Sequence, residues 1–459
     1  MNFVDIVNNS VQSLISLGPS VIMPVIMFVL ALVFGLKVTK SIRSGLLVGA
    51  GFVGLNLVVG LLGTSLGTAA QAMVKRIGTD LSIYDAGWPV ASTIAWMIPA
   101  SALMIPLVLL VNAALLALRL THTMNIDIWN YWHFAYFAMI ARTLTGNLVI
   151  GLTVGVIISV VYLLIADWLG PQFEDYYKLP GVTCTTGSVT IFAPIAFLLD
   201  KLWDRIPGIN RIVISPETIQ KRIGFFGDPL FIGVVIGGLI GLLAGYDFSK
   251  IATLAITMGA VMLILPKMVA ILMEGLNPIA QSGKKLMSRW FGKGEKVYIG
   301  MDAALALGNT ANLATASLTI PIVILLAFVL PGNKVLPFVD LASMAYFTVC
   351  TVLFNRGNVF RGVLNAIVLW VIGLYLATWI APDVSSTAAG AGYQFPKGVD
   401  TVVSLGTGAH IFEVIFVKAV QLSPWFILPV AVILIALLVL RRHIEVRAAA
   451  VSDAPVSAV

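Results

Sequence analysis

The chain has 459 residues, of which 59% are hydrophobic and only 11% are charged. This composition excludes an ordinary soluble enzyme, in which about a quarter of the residues are charged. The length has room for about ten to twelve membrane-spanning helices of about 20 residues each. No room remains for a sizeable soluble domain, so we expect residues 1–459 to form one integral-membrane domain. In such a protein the net charge of +7 bears on orientation and not on nucleic-acid binding.

Cysteine content and the first residues narrow the class further. Cys184 and Cys350 are the two cysteines, and both lie in apolar stretches. That pattern excludes a disulfide framework, and the sequence has no Cys/His spacing typical of a metal site, so we expect no metal or cofactor. The N-terminus lacks a basic segment before its first apolar run, which predicts that no signal peptide is cleaved.

Hydropathy predicts about eleven spanning helices in an all-α, polytopic membrane protein. The predicted spans are Leu14–Leu36, Gly45–Leu66, Gly87–Leu118, Thr145–Trp168, Val189–Leu202, Leu230–Gly245, Ile251–Met273, Leu313–Leu330, Leu341–Phe354, Gly362–Ile380 and Ser423–Leu440. Prolines and polar runs within Gly87–Leu118 and Val189–Leu202 indicate broken helices or re-entrant hairpins, which leaves the count open by one.

Basic residues alternate between the loops that these spans define. The loops assigned to the cytoplasm carry 21 of the 28 Lys and Arg residues, Arg142 and Arg356 among them. The opposite loops include Lys178 and the small, polar stretch Gly390–Gly398. The positive-inside rule therefore predicts an N-terminus outside and a C-terminus in the cytoplasm.

Two basic stretches on the predicted cytoplasmic side, Lys201–Asp228 and Glu274–Lys296, allow two interpretations. Basic amphipathic segments bind anionic lipid headgroups. They equally suit a docking platform for a soluble partner protein.

Four polar clusters interrupt the apolar stretches, and each must face protein or water. They are Asp85–Pro89, Asp127–His133, Thr183–Thr190 and Asp302–Thr310. Three of the four contain a glycine or a proline, which is typical of broken helices whose freed backbone groups line a polar cavity. A hydroxyl-rich solute such as a sugar or an alditol fits such a cavity, because it can be held by many hydrogen bonds and by stacking. Trp88, Trp129 and Trp132 could supply the aromatic face, although each could instead belong to the interfacial belt.

Asp302 and His133 are the candidate catalytic residues. Either could orient and deprotonate a substrate hydroxyl. The alternative for Asp302 is a helix N-cap or a salt bridge, and for His133 a packing role among aromatic residues.

The candidate substrate-binding residues come from several clusters and one later segment. Glu413, close to His410, is one of them, unless it marks only the outer interface. The full set is Asp85, Trp88, Thr186, Ser188, Asn309 and Glu413. The sequence has no Walker A motif, so energy for transport must come from an ion gradient or from a separate protein.

Several motifs, in order and spacing, resemble those of the galactitol-type enzyme II C component of the bacterial phosphoenolpyruvate-dependent sugar phosphotransferase system, within the ascorbate–galactitol superfamily. They are Asp85-x-Gly-Trp-Pro89, Asn125-x-Asp-Ile-Trp-Asn-x-Trp-His133, Ile206-Pro-Gly-x-Asn-Arg-Ile212, Phe226-Gly-Asp-Pro229, Gly300-x-Asp302 with Leu307-Gly-x-Thr-Ala311, Pro331-Gly-Asn-x-Val-Leu-Pro-Phe-x-Asp-Leu-Ala342 and Arg356-Gly-Asn-x-Phe-Arg361. The resemblance covers nearly the whole chain.

This resemblance implies a homodimeric permease of the bacterial cytoplasmic membrane whose core domain carries substrate by an elevator-like motion. It implies that uptake of an alditol is coupled to phosphorylation, with the phosphoryl group on a cysteine of a separate II B protein that II A charges. The chain would then be the membrane component of a phosphotransferase complex. Where the family tends to have Ile-Pro-His-Gly, this sequence has Cys184-Thr-Thr-Gly187, so Thr186 replaces a histidine and the substrate could be another hexitol, a pentitol or a related sugar.

From the residues alone, an ion-coupled secondary transporter of an unmodified polyol or sugar is the alternative, because broken helices and intramembrane carboxylates suit ion coupling as well. A membrane scaffold or receptor subunit would leave the polar hairpins without a purpose.

Overall fold

The computed structural model describes residues 19–77, 81–216, 229–290, 297–337, 339–395 and 399–452. The beginning of the predicted span Leu14–Leu36, the N-terminus, most of the Phe226–Pro229 motif and parts of both basic stretches lie outside these residues.

The first half of the described chain contains nine helices and three strands, with 3-10 turns between some of them. The helices are α1 (Pro19–Val33), α2 (Val38–Ile77), α3 (Gly87–Met97), α4 (Met104–Ala117), α5 (Trp132–Thr145), α6 (Leu148–Tyr177), α7 (Gly187–Thr190), α8 (Ala193–Arg205) and, after the segment 217–228, α9 (Pro229–Leu243). The strands are β1 (Ile83–Asp85), β2 (Thr123–Asn125) and β3 (Val182–Cys184).

The second half repeats this alternation of helices and short strands. The helices are α10 (Phe248–Trp290), α11 (Thr310–Val329), α12 (Met344–Phe347), α13 (Val349–Phe354), α14 (Val359–Gly390), α15 (Leu405–Gly408), α16 (Ile411–Leu422) and α17 (Ile427–Ser452). The strands are β4 (Tyr298–Met301), β5 (Val335–Leu336) and β6 (Val402–Val403).

Two long helix pairs form one part of the structure. Helices α1 and α2 pack as a hairpin, α9 and α10 pack as a second hairpin, and α2 packs along α10. A glycine with positive φ lies in the turn of each hairpin, Gly35 at 82° and Gly245 at 70°. Only glycine adopts this backbone conformation without a steric penalty, so both hairpins reverse direction in the same way.

Two three-stranded parallel sheets lie in the other part, and each combines strands from both halves. In one sheet β1 lies between β5 and β6, and in the other β4 lies between β2 and β3. Each half therefore contributes its first strand to the centre of the sheet whose edge strands come from the other half. The carboxyl ends of parallel strands share an edge, so the polar residues that follow β2, β3 and β4 meet at one place.

The predicted all-helical membrane class agrees with the structure. Five helical segments of the described residues are long and apolar enough to cross a membrane: Ala100–Ala117, Leu148–Tyr177, Thr310–Val329, Val359–Gly390 and Pro424–Ile444. The predicted break within Gly87–Leu118 is also present, because α3 ends at Met97 and a 3-10 turn at Pro99–Leu103 precedes α4.

Two predicted spans do not form continuous spanning helices. Val189–Leu202 corresponds to α7 and the 13-residue α8, which at 1.5 Å per residue reaches about 20 Å, less than the ~30 Å hydrocarbon core. Leu341–Phe354 is divided into a 3-10 turn, α12 and α13. Hydropathy counted these segments as spans because residues buried in protein are as apolar as residues that face lipid.

The structure contradicts the prediction that Lys178 and Arg356 lie on opposite sides, and likewise Arg142 and Gly390. Asp175 at the end of α6 contacts both Lys178, at 3.6 Å, and Arg356, at 2.6 Å, so these two cations lie at the same end of the helix bundle. Arg142 and Gly390 line one pocket at the opposite ends of α6 and α14. Hydropathy predicts one span in this region, Thr145–Trp168, and does not identify α5. The chain reverses direction between α5 and α6, and this additional helix changes the side on which the neighbouring loops lie.

Candidate functional site

A pocket lies where the broken helices of both halves meet. Its lining combines aromatic rings with a carboxylate, hydroxyls, an amide and an imidazole: Trp88, Trp129, Asn130, Trp132, His133, Thr186, Ser188, Asp302, Ser343, Tyr346 and Phe347. Such a lining suits a neutral solute that has many hydroxyl groups and some apolar surface.

Asp302 lies directly after the central strand β4, and its two carboxylate oxygens have different partners. The backbone N–H of Ala304 donates to Oδ1 at 2.8 Å, so Asp302 caps the 3-10 turn that follows. This is the N-cap role that the sequence analysis gives as the alternative to catalysis. The side-chain amide of Asn130 donates to Oδ2 at 2.8 Å. Asp302 is nevertheless only half-buried and lines the pocket, so its capping role leaves it accessible to a ligand.

Asp127 completes a network around the same amide. The Asn130 side chain also donates to Oδ2 of Asp127 at 2.8 Å, so one amide group serves two carboxylates. Thr186 links this network to the Asp302 turn, because its hydroxyl accepts from the Ala303 N–H at 2.8 Å. The Oδ1 atom of Asp127 has no hydrogen-bond partner, although it is buried. A site of this kind can take a further donor, such as a ligand hydroxyl or water.

Aromatic rings form one wall of the pocket. The rings of Trp88 and Trp132 stack with centroids 6.4 Å apart, and the Trp132 ring lies against His133 at 3.7 Å. The indole N–H of Trp88 donates to the Ser343 hydroxyl at 2.9 Å, which fixes the ring orientation. The stacked rings offer the apolar surface against which the C–H face of a sugar or alditol packs.

His133 is buried at the start of α5, where two neighbours hold its ring. Its Nδ1 lies 2.9 Å from the carbonyl oxygen of Asn130, and its Nε2 lies 3.3 Å from the Ser188 hydroxyl. Gly187 lets α7 approach this ring, because a Cβ atom there would lie 2.5 Å from the ring carbon Cδ2. The position therefore requires glycine for steric reasons.

Three of the residues predicted to bind substrate do not line the pocket. Asn309 is the N-cap of α11, where its side chain accepts from the Asn312 N–H at 3.0 Å. Glu413 is fully buried in α16 and lies behind Ser188, on the far side of His410. The other predicted residues do line the pocket: Trp88, His133, Thr186, Ser188 and Asp302.

Asp85, the third residue outside the lining, organises the edge of the other sheet. Its carboxylate accepts from the backbone N–H groups of Gly87, Leu405 and Asp340 at 2.9 to 3.1 Å. Asp340 accepts in turn from Trp88 N–H and Ser404. This pair therefore connects the loops behind the aromatic wall.

Sequence reasoning missed the contribution of the segment after β5. Ser343, Tyr346 and Phe347 line the pocket, although hydropathy assigned them to the span Leu341–Phe354. The signal that could have identified them is the polar Asp340–Ser343 turn after an apolar pair, which repeats the arrangement at Asp127.

Part of the first basic stretch folds against the end of α14. Arg361 pairs with Asp204 at 2.7 Å and with the buried Asp200 at 3.4 Å. The side chains of Lys284, Lys285 and Arg289 in the second stretch lie outside the described residues.

Comparison with known proteins agrees with this geometry. The family described as the PTS system sugar-specific permease component, where PTS is the phosphotransferase system, matches residues 13–398. The galactitol-specific EIIC components of Escherichia coli strains K12 and O157:H7 are each 36% identical over 416 residues, which is 90% of this chain and 92% of the relative. A putative permease IIC component of strain K12 is also 36% identical, over 86% of this chain and 90% of its own length.

Members of this family transport a sugar substrate together with soluble II B and II A proteins of the phosphotransferase system. The match extends through both halves of the fold and includes every element that lines the pocket. The chain therefore belongs to the family of sugar-specific permease components of the phosphotransferase system and is a multi-pass protein of the bacterial cytoplasmic membrane.

Proposed function

We propose that the chain imports a galactitol-type polyol and presents it to a soluble II B protein, which phosphorylates it during uptake. The observation that carries this proposal is the pocket, where the accessible carboxylate of Asp302 lies among hydroxyl and amide groups opposite a tryptophan wall. The relatives named galactitol-specific support the choice of substrate class.

In the proposed reaction, the carboxylate of Asp302 accepts the proton of a bound substrate hydroxyl. The hydroxyl oxygen then attacks the phosphorus of a phosphocysteine on II B. An O–P bond forms, the S–P bond breaks, and the thiolate leaves on II B. The permease itself contributes orientation, proton acceptance and exclusion of water.

His133 is proposed to share the orientation of that hydroxyl, while Thr186, Ser188 and Trp88 hold the rest of the substrate. Thr186 occupies the position where the resemblance implies a histidine. A hydroxyl is smaller than an imidazole and cannot serve as a base near neutral pH. Hexitols other than galactitol, and pentitols, therefore belong in any substrate test.

The proposed architecture is a single membrane domain over residues 1–459 with about eleven membrane segments, of which Val189–Leu202 and Leu341–Phe354 are broken, an outer N-terminus and a cytoplasmic C-terminus. We further propose a homodimer whose contact lies on α1, α2, α9 and α10. Exposed apolar side chains on this four-helix part, such as Leu46, Leu57 and Ile256, support contact with lipid or with a second copy. The two basic stretches, Lys201–Asp228 and Glu274–Lys296, are proposed to meet II B and anionic lipid.

Membrane vesicles test this function directly. Vesicles that contain the chain are given labelled galactitol, other hexitols or pentitols, with phosphoenolpyruvate and the soluble phosphotransferase proteins including II A and II B. We expect labelled polyol phosphate only when the complete set is present. Accumulation of free polyol without these proteins would instead support ion-coupled transport, and addition of an ionophore would then abolish it.

A further inference from the structure

A row of hydrogen-bonded side chains leads from the pocket into the protein interior. The Ser188 hydroxyl, which lines the pocket, lies 3.2 Å from Nε2 of His410. Nδ1 of His410 lies 3.2 Å from Oε1 of Glu413, and the Tyr162 hydroxyl donates to that same oxygen. His410 and Glu413 are both fully buried, so solvent does not satisfy them.

The hydrogen atoms in this row can be placed by counting donors. Because the carbonyl oxygen of Asn130 only accepts, Nδ1 of His133 carries a hydrogen. In neutral His133, Nε2 is then an acceptor. Ser188 has a single hydroxyl hydrogen and lies within reach of both His133 and His410, so it can donate to only one of them.

Two arrangements satisfy this count, and they differ by one proton. If the His410–Glu413 pair holds the proton, Nε2 of His410 donates to Ser188, and Ser188 donates to His133. If the pair has lost it, Nδ1 of His410 donates to the Glu413 carboxylate, and Nε2 accepts from Ser188. Only the second arrangement leaves Nε2 of His133 free to accept from a substrate hydroxyl.

We propose that His410 and Glu413 are positioning residues for the phosphorylation, whose shared proton decides through Ser188 whether His133 accepts a hydrogen bond from the substrate. This inference rests on the proposed function of the pocket. Neither residue lines the pocket, so their effect on substrate passes through Ser188 and His133.

The groups that face this pair from other elements are few among the described residues. Tyr162, which itself lies near Cys184 of β3, approaches from α6, with His133 on α5 and Asp340 after β5. The rings of Phe137 and Phe192 contact His410 at 5.7 and 5.9 Å. Within this set Asp340 is the one other carboxyl group near His410, and it is already held by Trp88 N–H, Ser404 and Gly406.

The direction of the pH effect follows from linkage. A substrate that donates to His133 favours the arrangement with one proton fewer, so binding releases a proton. Affinity therefore rises with increasing pH, by at most tenfold per pH unit. Replacing Glu413 by Gln removes the carboxyl proton, and an unpaired imidazolium at buried His410 is unfavourable. Affinity in E413Q should then be nearly independent of pH.

The test measures equilibrium binding of labelled galactitol and the rate of its phosphorylation between pH 5.5 and 8.5, in wild type, S188A, E413Q and the double variant. Among these four proteins, we expect a pH slope in wild type alone, and we expect the double variant to bind galactitol as S188A does, within about twofold. Such non-additivity is the mark of residues that act through one another.

 

The S188A and S188A/E413Q proteins should thus bind galactitol equally, because without the Ser188 hydroxyl the state of the pair no longer reaches His133. Thr351→Val is the matched control, since it also removes a buried hydroxyl, one that donates only to the Thr348 carbonyl oxygen at 2.7 Å. T351V should keep the wild-type pH slope, and its effect should add to that of S188A.

Two outcomes would overturn the inference, and they are distinct. If wild type neither binds nor phosphorylates any polyol, the proposed function fails and the inference fails with it. If wild type is active but E413Q and S188A keep its pH slope, or if their effects add, Glu413 has only a packing role. Should E413Q not fold, as judged by gel filtration in detergent, the pH slope of S188A decides the question alone.

Discussion

Asp302 and Asp85 show how hydrogen-bond partners separate two similar aspartates. Asp85 is the last residue of one central strand, Asp302 directly follows the other, and each lies in a network with a second aspartate. Asp85 accepts from three backbone N–H groups and connects loops. Asp302 has one backbone donor and opens onto the pocket, and the neighbouring Asp127 keeps one oxygen without a partner. The sequence could nominate both residues, but only their surroundings distinguish them.

Replacing Asp302 by Asn should abolish phosphorylation without affecting the fold. The Asn oxygen can still accept from the Ala304 N–H, which preserves the cap, but the amide cannot take up a proton. We expect the rate of polyol phosphate formation in vesicles to fall about a hundredfold to ten-thousandfold.

Asp247→Asn is the control for D302N, because Asp247 is an exposed carboxylate in the turn between α9 and α10. Its rate should equal that of wild type. A D302N protein that still phosphorylates at the wild-type rate would remove Asp302 from the proposed chemistry.

At the level of elements, the six short strands are the feature that hydropathy did not reveal. Strands of two to four residues carry no usable alternation of apolar and polar side chains. Their partners lie more than a hundred residues away in several cases, as with Ile83 and Val335. Yet these strands bring Asp127, Thr186 and Asp302 to one sheet edge, so the site depends on pairings that no local pattern specifies.

Asp167 ties the last helix to this region. It is 4% exposed within α6 and pairs with Arg441 on α17. It also accepts from Thr121 Oγ1, His122 N–H and Thr123 Oγ1 at 2.7 to 2.9 Å, just before and at the start of β2. One carboxylate thus joins α6, α17 and the strand that leads to Asp127.

Replacing Asp167 by Ala should lower stability strongly. The change removes the ion pair with Arg441 and three hydrogen bonds, and breaking a buried pair costs about 3 to 5 kcal/mol. Thermal unfolding in detergent should show a clear fall in Tm. The control is Asp175→Ala on the same helix, whose ion pairs are exposed and contribute little to stability. Equal Tm values for the two variants would contradict this account.

On the scale of the whole molecule, the two halves are interdependent. Each sheet has its centre in one half and its edges in the other. The pocket likewise takes Asn130, His133 and Thr186 from the first half and Asp302 and Tyr346 from the second. Neither half alone contains a complete pocket.

The position of charges at the ends of the bundle gives a prediction about sidedness. Single cysteines at Lys178 and Arg356 should react with a membrane-impermeant maleimide from the same side of intact cells or inverted vesicles. Cysteines at Arg142 and Gly390 should react from the other side, because α6 and α14 each run from one end to the other. Background labelling should be low, since Cys184 and Cys350 are buried. Labelling of Lys178→Cys and Arg356→Cys from opposite sides would contradict the fold.

The sequence by itself determined the membrane class, the places where helices break and most of the residues around the pocket. It could do so because burial of charge in lipid is costly and because glycine and proline interrupt helices wherever they occur. The resemblance of its motifs also identified the family. Those properties belong to single residues and short segments.

The tertiary structure decided which polar residues meet. It placed Ser343, Tyr346 and Phe347 in the pocket and moved Asp85, Asn309 and Glu413 out of its lining. It also showed that Val189–Leu202 and Leu341–Phe354 are broken segments packed inside the protein. These results depend on pairing between distant strands and on burial in protein instead of lipid, and hydropathy does not distinguish those two apolar surroundings.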